Sequence, residues 1–319
     1  MKYRTLGRTG QRVSEIGFGA WAIGGNSYGS TRDEESMDAL QAAWDHGVSF
    51  FDTADVYGEG HSEELIGKFL KGKRTEAVIA TKGGYDFYHG AYRRNLNPNY
   101  IRFAVDESLK RLQTDFLDLY QFHNPTLEDI ERGEIFRVME ELKAGGKIRF
   151  YGVSVHTPRE ALAVITNGKP DTIQLIFNLI DQRSVAEVFP KAEANKIGII
   201  AREPFACGLL TGKYAAKSKF PKNDHRNRWD SNRMANDLKK VDRIRSLLQT
   251  PRLTLVRAAL EFILNFEAVS VVIPGAKTSE QILESLLATE EPKLRIEEIS
   301  ILHNLFEREP LFQTGFLRN

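Results

Sequence analysis

Eight times along this chain a short apolar run ends in polar residues and gives way to a helical pattern, and no other feature restricts its possible folds so tightly. The runs cover residues 14–19, 48–52, 77–82, 116–123, 149–154, 172–175, 198–202 and 269–274. Strands alternating with helices predict a parallel sheet with right-handed crossovers. Eight units predict closure into a (β/α)8 TIM barrel, and 319 residues suffice for one barrel with insertions.

Helix signals stand between the runs. Thr31 and Glu34 read as a capping box. Asn97-Pro98 and Thr157-Pro158 read as a cap followed by proline in the first turn, and Thr278 as the cap after the eighth run. Gly47 and Gly145-Gly146 mark helix ends. Helices are also expected near 62–70 and 185–194. The first residues, turning at Arg8-Thr9-Gly10, read as an N-terminal β-hairpin outside the count, and an extra C-terminal helix and tail begin at about Ile296. No Pro/Gly/Ser-rich linker divides the chain, so residues 1–319 read as a single domain.

The longest irregular stretch, residues 215–234 after the seventh strand, holds Lys217, Lys219, Lys222, Arg226, Arg228 and Arg233. A long loop of this kind is functional or solvated; it reads either as a basic solvated loop or as a lid over a phosphate-bearing ligand. Lys plus Arg is 44 against 43 for Asp plus Glu, so nothing global attracts nucleic acid or acidic lipid. No segment approaches the ~18 apolar residues of a membrane span, and no signal peptide is visible. With a single cysteine, Cys207, a reducing compartment and a cytoplasmic location are expected.

In a barrel, residues at the C-terminal ends of strands surround the active site. Asp52 closes the second run and Tyr57 stands in the loop after it; Lys82 closes the third and His123 the fourth. Ser154 ends the fifth, Gln174 belongs to the sixth, and Arg202-Glu203 come at the end of the seventh. Each alone has an ordinary structural reading, but a shared address does not follow from those readings. A nearby ammonium lowers the pKa of a tyrosine, a carboxylate holds that ammonium charged, and a neutral histidine orients a carbonyl oxygen. Asp52, Tyr57, Lys82 and His123 therefore form a general-acid set. Such a set supplies a proton but no electrons, so a reduction needs a hydride-donating cofactor.

Several ordered segments resemble the aldo-keto reductase family. They are Asp52-Thr53-Ala54-Asp55-Val56-Tyr57-Gly58, Ile79-Ala80-Thr81-Lys82, residues 119–125 around His123, Gly208-Leu209-Leu210-Thr211-Gly212-Lys213, and Ile273-Pro274-Gly275-Ala276-Lys277-Thr278. The resemblance runs from Leu6 to beyond Thr278. It implies an oxidoreductase that reduces aldehydes or ketones, with NADPH extended across the barrel mouth. By it Tyr57 is the proton donor, Lys82 and Asp52 its tuning pair, and His123 the orienter. Ser154 and Gln174 would hold the nicotinamide carboxamide. Lys277 and Thr278 would meet the 2′-phosphate, as suits a lysine at a helix N-terminus, with Gln281, Glu284 and Ser285 near the adenosine. Gly19, Ala20, Trp21, Asp52, Arg202, Phe205, Gly208, Leu210, Lys213 and Gly275 complete the expected cofactor contacts. Trp21, Tyr57, Phe87, Tyr88 and His123 are expected to line the substrate pocket. The sequence departs from the family pattern at Val155, at Arg202-Glu203, where an aromatic residue often stacks on the nicotinamide, and at Ser285.

Gly17-Phe18-Gly19-Ala20-Trp21-Ala22 matches the G-x-G-x-x-A dinucleotide pattern, but it does not open into a helix and the next acidic strand end is too far along. Three other readings compete. A metal-dependent hydrolase could use His123, His156, Asp52 and Glu203, though paired-histidine spacing is lacking and no metal is expected. A Schiff-base lyase would need a low-pKa Lys82, which a partner carboxylate opposes. A nucleotide-binding regulatory subunit, as the potassium-channel beta subunits of the family are, would keep the same residues. The expected partner is a small carbonyl substrate. Oligomeric state is not legible.

Overall fold

The computed structural model describes residues 1–314 apart from Asn26, Ala91, Arg252, Glu291 and Pro292. Residues 315–319, the end of the expected tail, lie outside the described residues. A hairpin comes first, β1 (Tyr3–Thr5) paired antiparallel with β2 (Arg12–Ser14). The barrel strands are β3 (Phe18–Gly19), β4 (Phe50–Asp52), β5 (Val78–Gly83), β8 (Leu117–His123), β9 (Ile148–Ser154), β10 (Thr172–Ile176), β11 (Gly198–Arg202) and β12 (Val269–Val272). A small hairpin, β6 (Tyr85–Asp86) with β7 (Arg93–Arg94), rises from the end of β5. The eight barrel strands are all parallel and neighbour one another in chain order. Residues 15–19 run alongside β12 and its extension to Pro274: Gly17 N–H donates to the Val272 carbonyl at 2.8 Å and Gly19 N–H to that of Pro274 at 2.9 Å. The chain is a (β/α)8 barrel.

Side chains alternate between two surroundings, as the period of two in a strand demands. Phe50, Ala80, Leu119, Ile200 and Val271 pack inside the barrel, together with Leu6 and Val13 of the N-terminal hairpin, which plugs its lower end. Gly7 in that hairpin has φ +51°, and a Cβ there would come within 2.2 Å of the Gly198 amide nitrogen. Their chain neighbours, such as Phe51 and Ile79, face outward into the larger core beneath the helices.

The helices are α1 (Asp33–Asp45), α2 (His61–Phe69), α3 (Pro98–Leu112), α4 (Leu127–Arg132), α5 (Ile135–Ala144), α6 (Pro158–Asn167), α7 (Val188–Ala194), α8 (Ser231–Leu247), α9 (Leu255–Leu264), α10 (Ser279–Leu286) and α11 (Ile296–Arg308). Asn97 caps α3 by accepting from the Asn99 amide at 2.9 Å, and Thr157 caps α6 in a full capping box with Glu160. The box expected at Thr31 and Glu34 does not form. Arg32 stands at the N-cap of α1, the Thr31 hydroxyl turns to the Ile23 carbonyl at 3.5 Å, and Asp33, Glu34 and Glu35 satisfy the helix dipole instead. The eight-unit pattern does not include α8 and α9, which fill the connection from β11 to β12 and shorten the irregular stretch to about residue 230. No helix among the described residues is long and apolar enough to cross a membrane.

Candidate active site

Parity and strand length set the site. Asp52 and Lys82 lie two residues beyond Phe50 and Ala80, so they point into the barrel one layer higher, as do Gln121 after Leu119 and Arg202 after Ile200. Lys82 is fully buried and Asp52 only 2% exposed. The Lys82 ammonium donates to Asp52 Oδ1 at 2.6 Å, to the Thr53 carbonyl at 2.7 Å and to the Tyr57 hydroxyl at 3.4 Å. Its three protons are thereby used, and the Tyr57 oxygen lies at the outer end of the set.

Burial works against the Lys82 charge, but Asp52 and Tyr57 outweigh it and hold the ammonium above the usual lysine range. Burial also pushes the Tyr57 phenol up; Lys82 and Arg202 pull it down and Asp52 pushes it further up. The sequence led us to expect a lowered phenol. It is raised because Lys82 makes its shorter contacts with Asp52 and Thr53, and desolvation of the ring outweighs what remains. The phenol therefore stays protonated at neutral pH, the form a proton donor needs.

His123 stands at the end of β8 with its ring edge-on to Tyr57 at 5.9 Å and to Tyr85 at 5.2 Å. Trp21 stacks on Tyr57 at 5.9 Å. Tyr28 and His225 crowd the other side of Trp21, each at 4.9 Å. The pocket wall thus includes Tyr85, Tyr28 and His225, which sequence reasoning passed over; an aromatic residue two positions after a strand end was the available signal for Tyr85. Phe87 and Tyr88, expected in the pocket, turn away from it. They stack on one another at 4.1 Å, Tyr88 lies edge-on to Phe103 of α3, and its hydroxyl accepts from Arg111 at 2.6 Å.

The long loop closes over this wall. Tyr28 bridges Asp224 antiparallel, and the His225 amide donates to the Ser27 carbonyl at 2.8 Å. Arg226 is buried, bound to both Asp224 oxygens at 2.9 and 2.6 Å and packed on the Phe220 and Tyr214 rings. Arg233 lies over Trp229. Lys217, Lys219, Lys222 and Arg228 are exposed. Arg226 is thus spent inside the loop, and Arg233, already on α8, packs back against it.

The residues expected to meet a cofactor fall into three groups. Around the mouth, Gln174 Nε2 donates to Asp52 Oδ2 at 2.7 Å, Ser154 Oγ to Asn124 Oδ1 at 3.4 Å, and the buried Ala20 amide to the Asp52 carbonyl at 2.8 Å. Arg202 donates to Glu203 at 2.6 Å, to the Val155 carbonyl and to His156 Nδ1, while its Nε is buried with no partner among the described residues. Beyond β12, Gly275 is exposed, the Lys277 amide donates to Gln281 Oε1 at 2.9 Å, and the Lys277 ammonium donates to the Tyr28 carbonyl. Thr278 makes no cap bond at the start of α10, so its hydroxyl does not satisfy the first-turn amides. After β11, Gly208 has φ +97°, Phe205 is half-buried and Lys213 is exposed.

Three further positions of the expected set are engaged within the protein itself. The Leu210 side chain is fully buried in the core, because its short 3-10 turn packs on α8 and α9. Ser285 is 1% exposed and donates to the Gln281 carbonyl one turn back along α10. Glu284 is drawn to α9, accepting from the Thr254 hydroxyl at 2.7 Å. Among the described residues no group of three or more His, Cys, Asp or Glu side chains is gathered as a metal would require.

The sequence profile of the aldo/keto reductase family matches residues 15–307. The chain belongs to the aldo/keto reductase family. It is 36% identical over 293 residues to the aldo-keto reductase YhdN of Bacillus subtilis (strain 168), covering 90% of this chain and 88% of the relative. It is 32% identical over 284 residues to the aldo-keto reductase yakc [NADP(+)] of Schizosaccharomyces pombe, covering 86% and 83%. Its fold superposes on the glycerol dehydrogenase AKR11B4 of Gluconobacter oxydans with a TM-score of 0.82, 29% identity, and coverage of 97% and 96%. This aldo/keto reductase is thus an oxidoreductase by family.

Proposed function

We propose that this aldo/keto reductase reduces small aldehydes or ketones to alcohols with NADPH, using Tyr57 as general acid. The observation that carries the reading is the fully buried Lys82 ammonium, bonded at once to Asp52 and to the Tyr57 hydroxyl at the mouth of the barrel. A site of this charge and burial is poor as a nucleophile and well made to stabilise a phenol as it gives up its proton.

The residues present fit a nicotinamide nucleotide. The orphaned Arg202 Nε, the exposed Gly275 backbone and the start of α10 beside Lys277 are donors or cradles for an anionic, extended ligand. Ser154, Gln174 and Arg202 would hold its nicotinamide end, and Lys277, Thr278 and Gln281 its adenosine phosphate end. When bound, the reduced cofactor supplies the hydride that the carbonyl carbon accepts. Tyr57 gives its proton to the carbonyl oxygen, so the C=O π bond becomes a C–H and an O–H bond. His123 orients that oxygen, and Asp52 keeps Lys82 charged beneath the phenol. Trp21, Tyr28, Tyr85 and His225 exclude water and favour substrates with some apolar bulk. A relative named for NADP(+) supports the phosphorylated nucleotide.

The test titrates the protein with NADPH and NADH by fluorescence and then adds 4-nitrobenzaldehyde, in parallel with Tyr57→Phe. The expected result is binding by both proteins, turnover by the wild type, and a rate roughly 10²–10⁴-fold lower in the variant. Binding without turnover across a panel of carbonyls would favour a nucleotide-binding regulatory subunit. Absence of binding would overturn the cofactor assignment.

A further inference from the structure

Behind the Lys82–Tyr57 pair, on the outer side of the strands, lies a second polar cluster that the proposed reaction does not use. Asp55 is fully buried, and its carboxyl meets only the Val56 amide, in a contact too poorly aligned to make a full hydrogen bond. The Tyr120 hydroxyl is equally buried and has no hydrogen-bond partner among the described residues. Both stand over Gly83, where a Cβ would come within 2.0 Å of Tyr120 Oη and 3.2 Å of Asp55 Oδ2. The missing side chain at residue 83 is what lets the two oxygens approach one point. Buried polar groups are hydrogen-bonded as a rule, so two orphans facing one point belong together. The Asp55 amide donates to the Lys82 carbonyl at 3.1 Å, which places this carboxyl directly behind the lysine.

The groups that face Asp55 come from every neighbouring element. They are Lys82 from β5, Glu63 from α2, Arg111 and Tyr100 from α3, Tyr88 and Tyr92 from the excursion after β5, and Tyr120 from β8. Neither cation is at its disposal. Arg111 is bound to Glu63 at 2.7 Å and to Tyr88 at 2.6 Å, and Lys82 to Asp52, Thr53 and Tyr57. Burial first, and the Glu63 charge second, push the Asp55 carboxyl well above the usual carboxylate range; Arg111, the Val56 amide and Lys82 offset this only in part. Burial also raises all four phenols, Tyr92 to about 12, so each remains a neutral hydroxyl.

We propose that Asp55 carries a proton at neutral pH, shares it with the Tyr120 hydroxyl, and acts as a positioning residue that leaves the Lys82 charge to Asp52 and Tyr57. This rests on the reading of Tyr57 as proton donor. An ionised Asp55 would draw on Lys82 from behind and hold the Tyr57 proton more tightly, which makes a weaker acid. Asp55 lies inside the segment that carries Asp52 and Tyr57, yet the turn after β4 sends it to the opposite face of the sheet.

Two measurements test it on the intact protein. Infrared spectroscopy at neutral pH is expected to show the C=O stretch of a buried carboxylic acid, shifted in D2O and lost in Asp55→Asn. Its absence from the wild type would overturn the proposal whether or not any carbonyl is turned over. Kinetically, Asp55→Asn is a neutral stand-in for the acid, so its kcat–pH profile is expected to superimpose on that of the wild type. A limb displaced to lower pH would mean that an anion had been removed, and would overturn the proposal. Glu63→Gln removes the charge that helps keep Asp55 protonated. It is expected to move the alkaline limb upward and lower kcat at neutral pH by less than tenfold per unit of displacement, since the proton is only partly transferred in the transition state, with recovery in Glu63→Gln/Asp55→Asn. If Glu63→Gln does not fold, the infrared band and the Asp55→Asn profile decide alone. A protein that shows the band but reduces no carbonyl would refute the proposed function and leave the Asp55 proton established.

Discussion

Replacing Lys82 with methionine should destabilise the barrel by about 3 kcal/mol, because of the partners the change leaves behind. Methionine fills most of the aliphatic volume, so little cavity forms. The loss is the ammonium between Asp52 Oδ1 at 2.6 Å and the Thr53 carbonyl at 2.7 Å. Removing one partner of a buried ion pair costs roughly 3–5 kcal/mol because the other charge is stranded. Asp52, 2% exposed, keeps two amide donors, Gln174 Nε2 at 2.7 Å and Gln121 Nε2 at 3.4 Å, which places the cost near the low end. At roughly 2 °C per kcal/mol for a chain of this size, the melting temperature should fall by about 6 °C. The assay is thermal and urea unfolding by circular dichroism for Lys82→Met, Asp52→Asn and the double variant. The double variant carries no stranded charge and should recover at least half of the Lys82→Met loss, so the cycle isolates the pair. A Lys82→Met cost under about 1 kcal/mol, or a double variant no more stable than that single one, would refute the argument that the pair is a desolvated, mutually dependent unit.

Gly7→Ala should cost roughly 3 kcal/mol, since the hairpin that plugs the barrel needs φ +51° there and a Cβ would overlap the Gly198 amide; urea midpoints compare the two proteins. Burial lowers His225 to about 4, so the folded protein resists a proton that the unfolded chain accepts near its ordinary value of 6.5. Stability from this group is complete above pH 6.5 and declines as the pH falls toward 4; a melting temperature followed across that window should lose part of its slope in His225→Asn, and an unchanged slope would exclude the histidine. Burial, followed by Glu203, pushes the Cys207 thiol well up, so mass spectrometry should find it unalkylated by iodoacetamide in the native protein at neutral pH and alkylated after unfolding.

Much of this architecture is written locally. The period of two along 78–82, 119–123 and 150–154 places Lys82, His123 and Ser154 on the inner face of the sheet, and the strand ends place them at its mouth. Asn97-Pro98 and Thr157-Pro158 start their helices by bonds that span two or three residues. For the same reason the four polar residues of the proposed proton-donating set could be named before any contact was known. The segments that mattered were short, ordered along the chain, and set by strand parity.

What the sequence by itself could not determine are the outcomes of competition between partners far apart along the chain. Phe87 and Tyr88 are as aromatic as Tyr85, but Arg111 and Phe103 on α3 draw them outward. Thr31 has the residue type of a cap, yet the Ile23 carbonyl takes its hydroxyl. Lys82 should have lowered Tyr57, but its shorter bonds go to Asp52 and Thr53, and burial of the ring prevails. Arg226 belongs to a basic stretch that reads either as a solvated loop or as a lid over a phosphate-bearing ligand, and its side chain is enclosed by Asp224 and aromatic rings. Asp55 lies in the segment that resembles the family, but nothing about it in the sequence foretells burial on the far side of the strands from Asp52 and Tyr57. Desolvation and the sharing of donors depend on everything within a few ångströms, and only the tertiary structure brings those groups together.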